Sequence, residues 1–395
     1  MTVETTKRPE ERSRVVWGLL PLVLLAIVVF AFLRADPLSG LRESFPPVEE
    51  LTIQRAVLDA NPRQITLKVT NGGPDPVTVS QVLVDEAYWQ HTITPSRQIP
   101  RLGSATITIP YPWVDEEAHA IMLITDSGVT FEHEIAVAVE TPRGGDSLGL
   151  LALVGIFVGV IPVSIGLLWY PFVRRLDNRW VNFFLALTAG LLVFLAVDAL
   201  DEAFEVADRV PGAFQGVGLI TIGVISALAV LYGLDGWMRQ RRGGELTPLF
   251  VATLIALGIG LHNLGEGLAI GAAYGLGEVG LTAFLILGFT LHNVTEGLGI
   301  VSPLARIRPK LWHFVALGAL AGVPTIFGAW IGGLAYSPTA SVLFLSIGAG
   351  AIVQVVWEIG RLMRRDAKTL ALPLNAAGFT LGLLVMYVTG VFVAA

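Results

Sequence analysis

Nine apolar runs of roughly 20 residues constrain this chain more than any other feature, because each is long enough to cross a bilayer as a helix. The composition agrees, since 53% of the 395 residues are hydrophobic and 43 are glycine. The sequence therefore predicts a polytopic, mainly α-helical membrane protein. The spans lie near residues 15–33, 147–171, 180–200, 213–236, 248–274, 280–303, 311–335, 341–360 and 370–394.

The basic residues of the short loops predict the orientation of these spans. Lysines and arginines precede the first span and follow the second, fourth, sixth and eighth, whereas the opposite loops carry one arginine and several acids. Because basic loops stay on the cytoplasmic side, we expect a cytoplasmic N-terminus and an external C-terminus in the cell membrane. The first span is longer than the core of a signal peptide and lacks a small-residue cleavage site, which favours an uncleaved anchor.

A polar segment of different character, residues 36–146, separates the first span from the second. Runs such as RQITLKV, VTVSQVLV and SATITIPY are rich in β-branched residues and are divided by turn signals such as NGGPDP. Some seven strands in about 100 residues predict an extracytoplasmic immunoglobulin-like sandwich, with a jelly roll as the alternative. Three domains follow: the anchor at 1–35, the β domain at 36–146 and a membrane core at 147–395. We interpret His91, His119 and His133 of the β domain as ordinary surface or half-buried residues.

Two features of the composition exclude classes of partner and site. The chain has no cysteine, which excludes disulfides, thiolate metal ligands and a cysteine nucleophile. The net charge of −6, without a basic face, predicts no nucleic-acid partner. The remaining predicted partners are membrane lipid and divalent metal ions, with a homo-oligomer left open and the partner of the β domain unknown.

The motif H-N-x-x-E-G occurs twice in the core, as HNLGEG from His262 and as HNVTEG from His292. Residues four apart share a helix face, so His262 projects with Glu266 and His292 with Glu296. The two copies lie thirty residues apart, on consecutive spans joined by a short turn. We therefore expect the two histidine–glutamate faces to meet at a similar depth in the bilayer.

Carboxylates at this depth predict a bound cation. An ionised carboxylate at a helix centre costs about 2.5–3.5 kcal/mol on insertion scales, and a shared cation offsets that cost. Imidazole with carboxylate suits Zn²⁺ and other first-row divalent ions, whereas Mg²⁺ and Ca²⁺ prefer oxygen alone. A lone histidine in a span is more often a hydrogen-bonded core residue, but the duplicated motif favours metal. Asn263 and Asn293 are candidates for weaker oxygen ligands or for hydrogen bonds to the ligands.

Other polar residues of the spans have two interpretations each. Asp198, Asp201 and Glu202 lie with Glu205 at the outer end of the third span, as an acidic lip that gathers cations or as a solvated helix end. Glu358 lies late in the eighth span, where it lines an inner exit or pairs with Arg361 or Arg365. The glycine-rich stretch around the first motif predicts helix ends or kinks that turn carbonyls toward a cavity.

At the paired motif, residues 147–395 resemble the ZIP family of divalent-metal transporters, which has eight core helices. The resemblance implies His262, Glu266, His292 and Glu296 as primary metal ligands, with Asn263 and Asn293 at an adjacent second position. Three departures stand out. Gly265 and Thr295 replace the proline of the family motif, and Thr325 stands where the next span often supplies a glutamate. The loop RQRRGGEL also lacks the histidines common in that family.

The resulting hypothesis is a transporter, not an enzyme, that carries a divalent metal as cargo toward the cytoplasm. Zn²⁺ leads, with Fe²⁺, Mn²⁺ and Co²⁺ as other candidates, and no catalytic cofactor is predicted. An intramembrane metallohydrolase is one alternative, although the motif lacks the H-E-x-x-H order of common zinc peptidases. A metal-responsive receptor or scaffold is the other.

Overall fold

A computed structural model describes the chain except residues 1–19, 22, 32–33, 36–47, 136, 142–144, 242–246, 276–278, 336, 365–372 and 395. The chain divides between Val48 and Glu49 into two compact units. In the first unit, the described residues between 20 and 35 are helical. The predicted cytoplasmic N-terminus and part of the predicted span at 15–33 lie outside the described residues.

The second unit begins with a β domain of two antiparallel sheets, as the sequence predicts. One sheet has the strand order β1-β2-β7-β5, and the other has the order β4-β3-β8-β9, with β6 paired to β3. The strands are β1 Leu51–Ala60, β2 Arg63–Asn71, β3 Val77–Val84, β4 Ala87–Tyr88, β5 Thr92–Thr94, β6 Gln98–Ile99, β7 Ser104–Ile109, β8 His119–Thr125 and β9 Thr130–Ile135.

Alternating side chains build the core of this domain. Ile65, Leu67 and Val69 of β2 are fully buried, and their strand register places them opposite apolar residues of β7. Period-two alternation puts these side chains on one face of the sheet. Trp113 fills the same core, with its ring N–H donated to the carbonyl of Asp59 at 3.0 Å.

The described residues that follow the β domain are mainly helical and contain eight segments long and apolar enough to cross a membrane. They coincide with the eight spans predicted between residues 147 and 394. The helices are α1 Gly145–Gly155, α2 Ile161–Leu167, α3 Tyr170–Val173, α4 Asn178–Ala207, α5 Gly216–Arg241, α6 Pro248–Gly275, α7 Val279–Val301, α8 Leu311–Gly322, α9 Pro324–Ala335, α10 Pro338–Arg364 and α11 Pro373–Ala394.

Two of these spans are interrupted beside the paired motif. A π-helical turn, Ile156–Val160, separates α1 from α2 within the first core span. Val323 separates α8 from α9, where Pro324 cannot donate a backbone hydrogen bond. The helices that carry the motifs, α6 and α7, run continuously through them. The helix end predicted within the glycine-rich first motif is therefore wrong, and the interruptions lie in the neighbouring spans instead.

Motif glycines set the spacing of the helices around the site. A Cβ added to Gly267 on α6 would lie 2.1 Å from the carbonyl oxygen of Thr325 on α9. One added to Gly297 on α7 would lie 2.3 Å from the carbonyl oxygen of Val163 on α2. Neither position has room for a side chain, so each glycine lets two helices meet backbone to backbone.

Candidate metal site

The two copies of the motif meet in the interior of the helical bundle. His262, Asn263 and Glu266 lie on α6, and their counterparts His292, Asn293 and Glu296 lie on the adjacent helix α7. All six side chains are buried, with at most 7% of any residue exposed. The paired faces predicted from the spacing therefore do come together.

Three of the four predicted primary ligands form a compact triad. His262 Nε2 lies 3.1 Å from Glu266 Oε1, without the alignment of a hydrogen bond. His292 Nε2 donates a short hydrogen bond to the same oxygen. One ligand atom from each of the three residues falls within 4.8 Å of the others, which is close enough for a single ion to reach all three. Two imidazoles and a carboxylate form a ligand set suited to Zn²⁺.

The asparagines bind the two helices crosswise. Asn293 Nδ2 donates to Glu266 Oε2 at 3.0 Å, and Asn263 Nδ2 donates to Glu296 Oε2 at 3.2 Å. Each asparagine thus fixes the glutamate of the other helix. Such partners orient metal ligands and commonly matter to affinity almost as much as the ligands do.

Each asparagine also donates to a backbone carbonyl at one of the helix interruptions. Asn293 Nδ2 lies 3.0 Å from the carbonyl oxygen of Val158, inside the π-helical turn. Asn263 Nδ2 lies 3.1 Å from the carbonyl oxygen of Ala321, just before α8 ends. The two motifs are therefore attached to the backbone at two helix interruptions. One of these is a π-helical turn, a feature that frequently occurs at functional sites.

Several buried polar atoms around the motifs have no hydrogen-bond partner among the described residues. Unpaired polar atoms are costly in a bilayer, and a cluster of them points to a missing partner. Four are potential ligand atoms of a metal, and the fifth is a hydroxyl. These atoms are His262 Nε2, Asn263 Oδ1, Asn293 Oδ1, Glu296 Oε1 and Thr325 Oγ1. The donor set of nitrogen and oxygen fits a first-row divalent cation.

Glu296 occupies a different position from the other three predicted ligands. The described residues place it beside Asn263, outside the triad of His262, Glu266 and His292. Thr325 is fully buried on α9, and its hydroxyl lies against Gly159 of the π-helical turn. The site thus consists of a triad and a neighbouring set of oxygen atoms.

A cavity of about 300 Å³ leads to His292. Three predicted pathway residues, Asp198, Asp201 and Glu202, line it together with Glu205. Phe289 also lines this cavity, and its ring centroid lies 5.5 Å from that of His292. The acidic end of α4 and His292 of the triad therefore line one cavity, which favours the lip interpretation over a simple solvated helix end.

Glu358 lies apart from the motif pair, in an ionic cluster on α10 and α5. Arg361 Nη1 donates to Glu358 Oε1 at 3.0 Å and to Asp235 Oδ2 at 3.2 Å. Both carboxylates are buried, at 1% and 2% exposure respectively. The arginine partner expected from the sequence is present, and this contact offsets the cost of the buried charges.

Sequence reasoning missed the backbone carbonyls of Val158 and Ala321 and the aromatic neighbour Phe289. Pro324 was a signal for the interruption near Ala321, because proline ends or kinks helices. No residue pattern in the sequence predicts the π-helical turn around Val158. A scan of the chain against protein-family models and a search of the curated proteins both give no match.

Proposed function

We propose that this chain is an integral membrane transporter of a divalent metal cation, with Zn²⁺ as the leading cargo. The proposal rests mainly on the buried triad of His262, Glu266 and His292, whose member His292 lines an acidic cavity. A structural cluster would satisfy its own polar atoms, whereas several atoms here have no partner among the described residues.

The residues divide the work of transport between capture and dehydration. Asp198, Asp201 and Glu202 give the cavity a negative potential that attracts cations from solution. The imidazoles and carboxylate of the triad then replace water around the ion. Asn293 keeps Glu266 in position for that exchange through its bond to Oε2. The unpaired oxygens of Asn263, Asn293 and Glu296 provide the next polar positions along the helices.

The cargo moves toward the cytoplasm in this proposal, with the β domain outside the cell. The ends of α3 and α10 and the segment after α7 carry Arg174, Arg306 and Arg364, on the side expected to be cytoplasmic. The arrangement of two sheets also supports an immunoglobulin-like domain. Strands β1-β2-β7-β5 correspond to the order A-B-E-D of that fold, and β3-β8-β9 correspond to C-F-G.

Membership of the ZIP family is part of the proposal and is carried by the eight spans and the two H-N-x-x-E-G motifs. Each asparagine orients the glutamate of the other motif helix, and this contact does not require the proline of the family motif. The buried hydroxyl of Thr325 takes the place of an acid, so we expect the second metal position to be weaker than the triad.

The test is time-resolved uptake of Zn²⁺, Fe²⁺, Mn²⁺ and Co²⁺ into cells and into vesicles containing the purified chain. Glu266→Gln removes a triad ligand while keeping the shape of the side chain, so uptake of the cargo metal is expected to disappear. Glu86→Gln, on an exposed turn of the β domain, is the matched control and is expected to retain uptake.

Uptake of none of these metals, at normal membrane levels and with both variants equal to the wild type, would reject the transport proposal. Metal binding combined with hydrolysis of a lipid or peptide would then favour the hydrolase alternative. Binding without either flux or hydrolysis would favour a receptor.

A further inference from the structure

The β domain contacts the outer ends of three core spans through two charged residues. Arg55 of β1 donates through Nη2 to the carbonyl oxygens of Gly275 at 3.4 Å and Gly333 at 3.3 Å, and through Nη1 to that of Leu334 at 3.4 Å. These carbonyls end α6 and α9, where the helix dipoles favour a positive charge. Arg55 therefore attaches the β domain to two helices that build the metal site.

Glu50 makes the second contact, with the connection between α4 and α5. Its Oε1 accepts a hydrogen bond of 2.6 Å from the backbone N–H of Gly212. The carbonyl of Glu50 in turn accepts a 2.9 Å bond from Gly72, which fixes the segment before β1. Gly72 itself lies close to Pro211, because a Cβ added there would be 2.8 Å from the proline Cβ.

The Glu50 contact lies beside a cavity that shares lining residues with the cavity at His292. An outer cavity of about 460 Å³ is lined by Glu50 and Gly212 and by Asp201 and Glu205 of α4. Asp201 and Glu205 also line the inner cavity that reaches His292. The two cavities are therefore neighbours that share two acidic residues, and the junction between the β domain and the α4–α5 connection borders the outer one.

We propose that the β domain is a gate over the route from the outer cavity to the inner one, and that it opens where Glu50 meets Gly212 while Arg55 keeps the domain attached to α6 and α9. This gate rests on the proposed transport function, but its opening can be measured without transport. Glu50 is a positioning residue here, because it acts through Gly212 and makes no contact with the triad. The outer cavity is lined by Glu50 and Gly212 and not by Arg55, so the contact of Glu50 is the one whose opening widens it.

The chain lacks cysteine, so a single introduced thiol reports on access to the inner cavity. Leu285→Cys places it on the wall of that cavity, away from the triad. In this background, Glu50→Ala removes the acceptor for Gly212 and is expected to raise the rate of modification by a charged thiol reagent roughly fivefold or more. Glu50→Gln keeps an acceptor oxygen and is expected to label at nearly the rate of the parent.

Labelling at the parent rate in Glu50→Ala would overturn the gate, provided that hydrogen exchange of the β strands is unchanged. Equal acceleration by Glu50→Gln and Glu50→Ala would also overturn it, because charge along the route would then be the cause. These outcomes do not depend on metal flux, so a chain that is gated but moves no metal would reject the transport proposal alone.

A second variant covers the case in which Glu50→Ala does not fold. Gly72→Cys together with Pro211→Cys joins the β domain to the α4–α5 connection through a disulfide. The two Cβ atoms must move apart to their usual separation of about 3.8 Å, and the Glu50 carboxylate must move from the new Cβ at 72, which would lie 2.7 Å from Oε1. Metal uptake is expected to be lost in the oxidised chain and restored by a reductant, with each single substitution as control. Full uptake by the chain with a complete disulfide would overturn the gate.

Discussion

Two clusters in this molecule combine a buried histidine with a carboxylate, one in the β domain and one in the membrane core. In the β domain, His119 Nδ1 donates to Asp85 Oδ2 at 2.8 Å, and Tyr111 donates its hydroxyl to the same oxygen at 2.6 Å. The backbone N–H of Ala120 donates to Asp85 Oδ1 at 2.9 Å, and that of Val114 lies 3.4 Å from His119 Nε2. Every polar atom of this cluster therefore has a partner within the domain.

The core cluster also combines histidine with carboxylate, but not all of its polar atoms have hydrogen-bond partners in the described part of the chain. Glu266 is shared between two histidines and an asparagine, while Asn263 Oδ1, Asn293 Oδ1 and Glu296 Oε1 have no hydrogen-bond partner among the described residues. A closed network stabilises a fold, whereas an incomplete one in an apolar medium requires another partner. A structural histidine cluster and a candidate metal site therefore differ less in residue type than in whether each polar atom has a hydrogen-bond partner.

The largest expected effect is the loss of Zn²⁺ affinity when the shared carboxylate of the core cluster is removed. Glu266→Gln should weaken Zn²⁺ binding by more than about 100-fold, because even residues that only support a ligand can cost about 10–100-fold. Asp85→Asn, the matched change in the β domain, should leave the affinity for Zn²⁺ unchanged. Isothermal titration of the purified chain with Zn²⁺ measures both. Equal affinity in the two variants would show that the triad is not the metal site.

The next effect separates the two asparagines. Asn293→Ala should lower the affinity for Zn²⁺ by about 10–100-fold, because its amide orients the Glu266 carboxylate of the triad. Asn263→Ala should have a smaller effect on this binding step, since its amide orients Glu296 outside the triad. The same titration compares them. A larger loss in Asn263→Ala would instead assign the primary position to Glu296.

Hydropathy was sufficient to predict the eight core spans, because bilayer thickness dictates their length. Helical periodicity was also sufficient to predict that His262 and Glu266 share a face, as do His292 and Glu296. It could not predict that both histidines approach Glu266, since that depends on the axial offset and rotation of α6 against α7. Glu296 was grouped with the triad for this reason, although the structure places it beside Asn263.

The β domain was predicted from alternation and turns, but its polar cluster was not. The expectation of a surface or half-buried His119 was wrong, because only 3% of this residue is exposed. Asp85 follows β3, Tyr111 follows β7 and His119 begins β8, so only the pairing of distant strands brings them together. No local spacing records such a contact. The attachment of the domain to the core through Arg55 and Glu50 is equally invisible, because backbone carbonyls and N–H groups carry no sequence signal.

A smaller effect is expected on the stability of the β domain when its polar cluster loses one hydrogen bond. Tyr111→Phe removes one hydrogen bond to Asp85 and should lower the free energy of unfolding of this domain by about 1 kcal/mol, because the carboxylate is partly solvated. Hydrogen exchange of β3 and β8 in the full chain measures this loss, and Zn²⁺ affinity should not change. Unaltered exchange would mean that solvent replaces the tyrosine without cost.

The smallest effect is a dependence of β-domain stability on pH. Burial, the hydrogen bond to Asp85 and the negative charge of that residue raise the pKa of Tyr111 from 10 to about 12. Because the folded state holds this proton more tightly, the contribution to stability is complete below pH 10 and is lost as pH rises through about 12. Burial alone would raise the pKa of Asp85, but hydrogen bonds from Tyr111, Ala120 and His119 outweigh it and lower that pKa. Its contribution is therefore present above pH 3.8 and is lost as pH falls through the lower folded value. The difference in tyrosinate absorbance between wild type and Tyr111→Phe should appear near pH 12, and a transition near pH 10 would show that Tyr111 and Asp85 are not coupled in the folded domain.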